Sequence, residues 1–194
     1  MDRSRRFKWV TLGAGAAAVV IAVLLLFAFG VILPTHSATT TSTPQLKTYL
    51  NLTITYDPAT QIGNYTTPFI SIVAHTLVVV TITNYDPSAS PLFVPWDNRV
   101  VGTVGGNESV NCGQGTEIVR TLPSNGISHT FTVLDSDYNI SVPIPPSPSP
   151  TVPCVVTFEL TMNQSEMTTW GCVANCDNNQ MAAGRMWGLL LVSG

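Results

Sequence analysis

Between Trp170 and Val192 the chain reads WGCVANCDNNQMAAGRMWGLLLV. Two thiols, Cys172 and Cys176, and two thioethers, Met181 and Met186, fall in this one stretch. Thiolate and thioether are soft donors that suit copper, Cu(I) above all, whereas imidazole suits both oxidation states. Cys, Met and His together can therefore hold a metal that cycles by one electron. The stretch contains no histidine, but ISHTFTV upstream supplies His129. Ile127, His129, Phe131 and Val133 alternate there with Ser128, Thr130 and Thr132, a period of two that predicts a strand with His129 turned inward. An inward imidazole needs a hydrogen-bond partner or a metal. Three chemistries stay open for Cys172 and Cys176: a small local disulfide, a pair of metal ligands, or two buried thiols. Met181 and Met186 are equally readable as core filler.

The rest of the chain decides where such a site would sit. No charged residue occurs from Trp9 to Leu33, and VTLGAGAAAVVIAVLLLFAFGVIL is long enough to cross about 30 Å of hydrocarbon as a helix. Arg3, Arg5, Arg6 and Lys8 precede it, half of the 8 basic residues in the chain. The positive-inside rule then puts the N-terminus in the cytoplasm and the remainder outside. VILPTHSA offers no convincing small-x-small cleavage site, so a retained anchor is expected rather than a signal peptide. The domain boundaries that follow are 1–34 for the basic tip and anchor, 35–48 for a Ser/Thr-rich stalk, and 49–194 for an extracytoplasmic domain.

Beyond the anchor only Lys47, Arg99, Arg120 and Arg185 stand against ten acidic residues. With no basic stripe to neutralise phosphates, nucleic acid is excluded as a partner. Five N-x-[ST] sequons, at Asn51, Asn64, Asn107, Asn139 and Asn163, fit a glycosylated surface protein. Four cysteines in an exported domain are expected to oxidise unless a metal holds them. Pairing Cys112 with Cys154 would tie a long insertion, Pro87 to Gly126, to the strand that begins at Val155.

Further strands are expected at Leu50–Tyr56, Thr76–Thr83, Val155–Leu160 and Met186–Val192, and the proline-rich run Pro143–Pro153 as an extended crossover. Short strands punctuated by Pro, Gly and Asn point to an all-β antiparallel sandwich or barrel. Hydrolytic chemistry is set aside, since no Gly-x-Ser-x-Gly elbow occurs and no carboxylate pair is positioned with a histidine.

In order, N-G-I-S-H-T-F-T-V, I-S-V-P-I-P, V-V-T-F-E-L, W-G-C-V-A-N-C and M-x-x-G-R-M-x-G-L-L-L-V resemble the copper domain of cytochrome oxidase subunit II and related archaeal cupredoxins, over roughly Thr76 to Gly194. The resemblance implies a Greek-key, cupredoxin-like β-sandwich behind one N-terminal transmembrane helix. It makes His129 the family's strand histidine and Cys172 and Cys176 its two bridging cysteines. In the mononuclear spacing Cys-x4-His-x4-Met, Met181 stands at the histidine position and Met186 at the methionine. In the binuclear pattern Gln180 occupies the place of the second histidine. The implied function is electron transfer through copper, as a subunit II-like component of a haem-copper terminal oxidase. The implied partners are the membrane and subunit I or other respiratory-complex subunits, with no independent catalytic site. Two alternatives are a copper-free structural subunit of a quinol oxidase and a disulfide-stapled surface domain outside respiration.

Overall fold

Alternating apolar and polar residues build eleven strands in the computed structural model, which describes residues 46–89, 98–134, 137–174 and 185–194. The anchor, most of the stalk, Cys176 and Met181 lie outside the described residues. Among the described residues no helix is long and apolar enough to cross a membrane.

Six strands form one sheet in the order β2 (Ile62–Tyr65), β1 (Lys47–Asp57), β4 (Leu77–Asn84), β9 (Cys154–Leu160), β5 (Glu108–Asn111), β6 (Thr116–Val119). The other sheet runs β3 (Phe69–Val73), β11 (Trp187–Ser193), β10 (Glu166–Gly171), β7 (His129–Leu134), β8 (Ser141–Ile144). The core lies between them. Leu52, Ile54, Val78, Val80, Ile82, Val156 and Phe158 come from the first sheet, and Ile70, Phe131, Val142, Trp170 and Leu190 from the second. All five expected strands form, within three residues of their expected ends, and β1 takes in Lys47 and Thr48 from the expected stalk.

Strand direction departs from expectation: β1 runs parallel to β4 and β3 parallel to β11, so both sheets are mixed. Alternation in sequence fixes which face a residue takes, but it carries no information about the direction of the neighbouring strand. The long insertion also belongs to the sheet. Its β5 pairs with β9, its β6 pairs with β5, and Gly113 and Gly115 supply the positive φ of 89° and 110° that the tight β5–β6 turn requires. These four-residue strands are too short to announce themselves by periodicity. The proline-rich run starts as β8, an edge strand where Pro143 sits opposite Thr130, and then continues without a regular strand.

The expected Cys112–Cys154 disulfide is present, with a sequence separation of 42. Closing a loop of that length removes about 4 kcal/mol of unfolded-state entropy, so Cys112→Ala/Cys154→Ala is expected to lose about that much stability in urea unfolding.

Glu108, at the head of β5, is 1% exposed, and neither of its carboxyl oxygens has a hydrogen-bond partner. Burial pushes its pKa up to about 8 from 4.5. The folded protein thus holds a proton that the unfolded chain releases. The stability is full below about pH 4.5 and is lost at about 1.4 kcal/mol per unit as pH rises to about 8. Glu108→Gln is expected to flatten that slope; denaturant midpoints between pH 4 and 9 measure it.

Candidate metal centre

The site begins where β4 ends. Val78, Val80, Ile82 and Asn84 share its inward face, all fully buried, so the strand's period of two delivers one polar side chain to the margin of the core. Asn84 pairs in register with Cys154, the disulfide-bonded first residue of β9. Its amide donates to the Pro145 carbonyl at 2.9 Å, and its Oδ1 accepts from Asp86 N at 2.9 Å. Ser88 then donates to Asp86 Oδ1 through its N–H at 2.8 Å and its hydroxyl at 2.5 Å. Two consecutive side-chain turns of this kind explain why N-Y-D-P-S stops the strand. Ser147 N, from the proline-rich run, donates to the Asp86 carbonyl at 2.8 Å.

So fixed, Asp86 has Oδ2 left for one partner, and that partner is His129. The histidine opens β7, 1% exposed and facing inward as its alternation predicts, and its Nε2–H donates to Asp86 Oδ2 at 2.9 Å. Burial alone would drive the Asp86 pKa up, but bonds from His129 and Ser88 outweigh it and hold the carboxylate below its ordinary range. For His129 burial works downward, while Asp86 and the Cys172 sulfur raise the imidazole above its usual value. The approach is close enough that a Cβ on Gly63, in β2, would lie 2.5 Å from Asp86 Oδ2 and 2.7 Å from His129 Nε2.

With Nε2 committed, Nδ1 faces sulfur. Cys172 follows β10, its N–H donates to the Met186 carbonyl at 2.9 Å, and its Sγ lies 3.9 Å from His129 Nδ1. Thr130 N donates to the same sulfur at 3.4 Å. The bond to Met186 extends the β10–β11 ladder by one pair and sets the two residues opposite each other, where side chains share a face. Both are buried, Cys172 at 2% exposed and Met186 at 0%. Beneath them Trp170 stacks on Phe131 at 5.4 Å between centroids and meets Tyr65 edge-on at 4.8 Å. The Tyr65 hydroxyl donates to the Thr130 carbonyl at 3.1 Å.

Of the five residues expected to form the site, His129, Cys172 and Met186 are therefore brought to one end of the sandwich. Among the described residues no group of three or more His, Cys, Asp and Glu side chains is arranged to hold a metal. His75 precedes β4, whose length of about 23 Å separates it from the Asn84 end, and is remote from the site. The sequence reading missed Asp86 and Gly63. It placed no carboxylate with a histidine, yet Asp86 stands against His129 across 43 residues of sequence. N-Y-D-P-S marks a turn on its face, and nothing in its spacing says which strand that turn will meet.

No protein-family model matches the chain, and no curated protein sequence matches it. Among solved structures, it is similar to the multicopper oxidase from Campylobacter jejuni, a metallo-oxidase, with 8% identity and a TM-score of 0.43 over 79% of this chain. The chain spans 31% of that oxidase's length. It is similar to rusticyanin from Thiobacillus ferrooxidans, with 13% identity and a TM-score of 0.39 over 75% of this chain and 77% of rusticyanin. It is also similar to a chain of a heme-copper terminal oxidase dimer, with 11% identity and a TM-score of 0.32 over 97% and 99% of the two chains.

Because Asp86 and His129 are buried as a pair, Asp86→Ala is expected to cost about 3–5 kcal/mol in urea unfolding. Gly63→Ala, which leaves both partners in place but crowds them, is expected to cost about 1–3 kcal/mol.

Proposed function

We propose that this chain is a cupredoxin-like copper protein of Greek-key form, anchored in the membrane by residues 1–34, whose extracytoplasmic domain passes electrons as a subunit II-like component of a haem-copper terminal oxidase. One observation carries the metal reading: Asp86 takes His129 Nε2, so that Nδ1 is turned to Cys172 Sγ at 3.9 Å. A histidine that ligates a metal through one nitrogen commonly donates the other N–H to a carboxylate, which fixes its tautomer and ring orientation. Two donors at that separation also fit around a single ion, since metal–sulfur and metal–nitrogen bonds of about 2.3 and 2.0 Å span it at an open angle. His129 and Cys172 would hold the metal, joined by Cys176 and by one or both of Met181 and Met186. Bound copper would supply one-electron chemistry with soft sulfur and imidazole ligands.

The protein's own contribution is position. Thr130 N donates to the Cys172 sulfur and helps fix its position, while the β10–β11 ladder and the Asp86 turns keep sulfur and imidazole from moving as charge changes. Burial of His129, Cys172 and Asp86 excludes water from that end of the core. The same burial speaks against nucleophilic catalysis by Cys172 and His129, because a substrate would need to reach the sulfur. The absence of a second histidine after Cys176, with Gln180 and Met181 in its place, favours one other reading, a copper-free structural subunit.

Full-length protein in detergent, reduced and then given Cu(II), is expected to bind about one or two equivalents and to show thiolate-to-copper absorption. Cys172→Ser and Cys176→Ser should each abolish that absorption. Asp86→Asn should weaken copper binding by about 10–100-fold while keeping the absorption at saturating copper, as a residue that only orients the ligand would. If reduced wild-type protein takes up no copper, the structural-subunit reading replaces this one.

A further inference from the structure

Electron transfer leaves the five sequons unused, and the fold treats them differently. Asn64 is half-buried with its side-chain oxygen enclosed, and Asn107 gives its amide N–H to the Gly105 carbonyl at 3.2 Å. Asn51, Asn139 and Asn163 are exposed. Of these only Asn51 stands in a strand, since Asn139 precedes β8 and Asn163 lies between β9 and β10.

A strand sends every second side chain to one face, so Tyr49, Asn51 and Thr53 of β1 line up on the outer face of the six-stranded sheet, each about 7 Å from the next. Tyr49 is 69% exposed, a flat apolar platform one step along the strand from the Asn51 amide. Across the sheet from Asn51 the registered row carries Thr81, Thr157 and Ser109, short side chains with no charge among them. The β2 side is open, because that strand stops at Tyr65, opposite Ile54. Among the described residues the Asn51 side chain makes no hydrogen bond that a modification would break.

We propose that Asn51 is a site of N-glycosylation, with the first sugar seated on the Tyr49 ring and the glycan lying over the hydroxyl-rich outer face of that sheet. In the transfer, Asn51 Nδ2 bonds to C1 of a lipid-pyrophosphate-linked oligosaccharide. The C1–O bond breaks, the lipid pyrophosphate leaves with its electron pair, and Nδ2 gives up one proton. Thr53 supplies the hydroxyl of the N-L-T acceptor sequence. Once attached, the C–H face of a pyranose stacks on the tyrosine ring, and the Thr81 and Thr157 hydroxyls lie beyond it as hydrogen-bonding groups. The site rests on the extracytoplasmic placement of the domain and is independent of copper.

The test takes full-length protein from its native membranes into peptide mass spectrometry, where a glycan mass is expected on the peptide that contains Asn51 and should vanish in Asn51→Gln. Loss of the glycan in that variant should lower the thermal midpoint by about 2–4 °C. Tyr49→Ala should lower it by a similar amount when the glycan is present and cost nothing further in the Asn51→Gln background, a coupling that an uninvolved surface tyrosine would not show. External protease on intact cells reports the placement separately. An unmodified Asn51 in a domain that the protease reaches overturns the proposal and leaves the placement standing, whereas a domain that it does not reach overturns both. Independent effects of the two substitutions overturn the Tyr49 seat and the proposal with it.

Discussion

Burying an imidazole and a carboxylate together takes two strongly hydrated groups out of water, and the cost is offset only when each finds geometrically good partners. The end of the sandwich near β4 is arranged around that requirement for His129 and Asp86. Asp86 accepts two bonds from Ser88 on one oxygen and one from His129 on the other, so both oxygens are partnered. Supplying those donors demands a backbone turned sharply after Asn84, and Asn84 achieves it by bonding forward to Asp86 and across to Pro145. Asn84 is in turn paired with Cys154, which the disulfide ties to the β5–β6 hairpin. A constraint at the surface of the first sheet is thereby transmitted to one ring nitrogen in the second.

The consequence for the other nitrogen is chemical. With Nε2–H given to Asp86, Nδ1 is the ring nitrogen that remains, and it points toward the Cys172 sulfur rather than toward backbone. A histidine kept only as core filler would be satisfied by a carbonyl and would not need a carboxylate, whose burial is the more expensive choice. The Gly63 position makes the same point sterically. Any side chain there would strike both partners, so the strand passes the pair as bare backbone.

How much of this the sequence discloses follows from which forces are local. Alternation in LNLTITY, TLVVVTIT, ISHTFTV and VVTFEL is set by burial of one face, and each of these segments forms the expected strand with His129 inward. The disulfide was legible because a long insertion, in a domain expected to be exported, has few other ways to be fixed, and it joins the expected cysteines. Direction of pairing was not legible. Whether β4 lies parallel or antiparallel to β1 depends on β2 and β3 leaving for different sheets between them, a choice written in turn geometry rather than in hydrophobic period. Asp86 was hidden for a related reason. A carboxylate in a turn becomes a histidine partner only once two sheets are stacked, and a separation of 43 residues leaves no motif to read.

The core beside the site adds a final constraint on what the centre can do. Trp170, Phe131 and Phe158 form a chain of ring contacts, 5.4 and 5.7 Å between centroids, running inward from the residue two before Cys172. Trp170 is fully buried against Phe131 of β7, which in turn meets Phe158 of β9 in the other sheet, so any shift of β10 that moved Cys172 would have to break the stack and open a cavity. Sulfur and imidazole are therefore held from two independent directions, aromatic packing behind Cys172 and the Asp86 turns behind His129. A pair of donors positioned this rigidly changes little between two charge states of whatever it binds. That suits transfer of an electron better than a reaction in which bonds at the site must form and break.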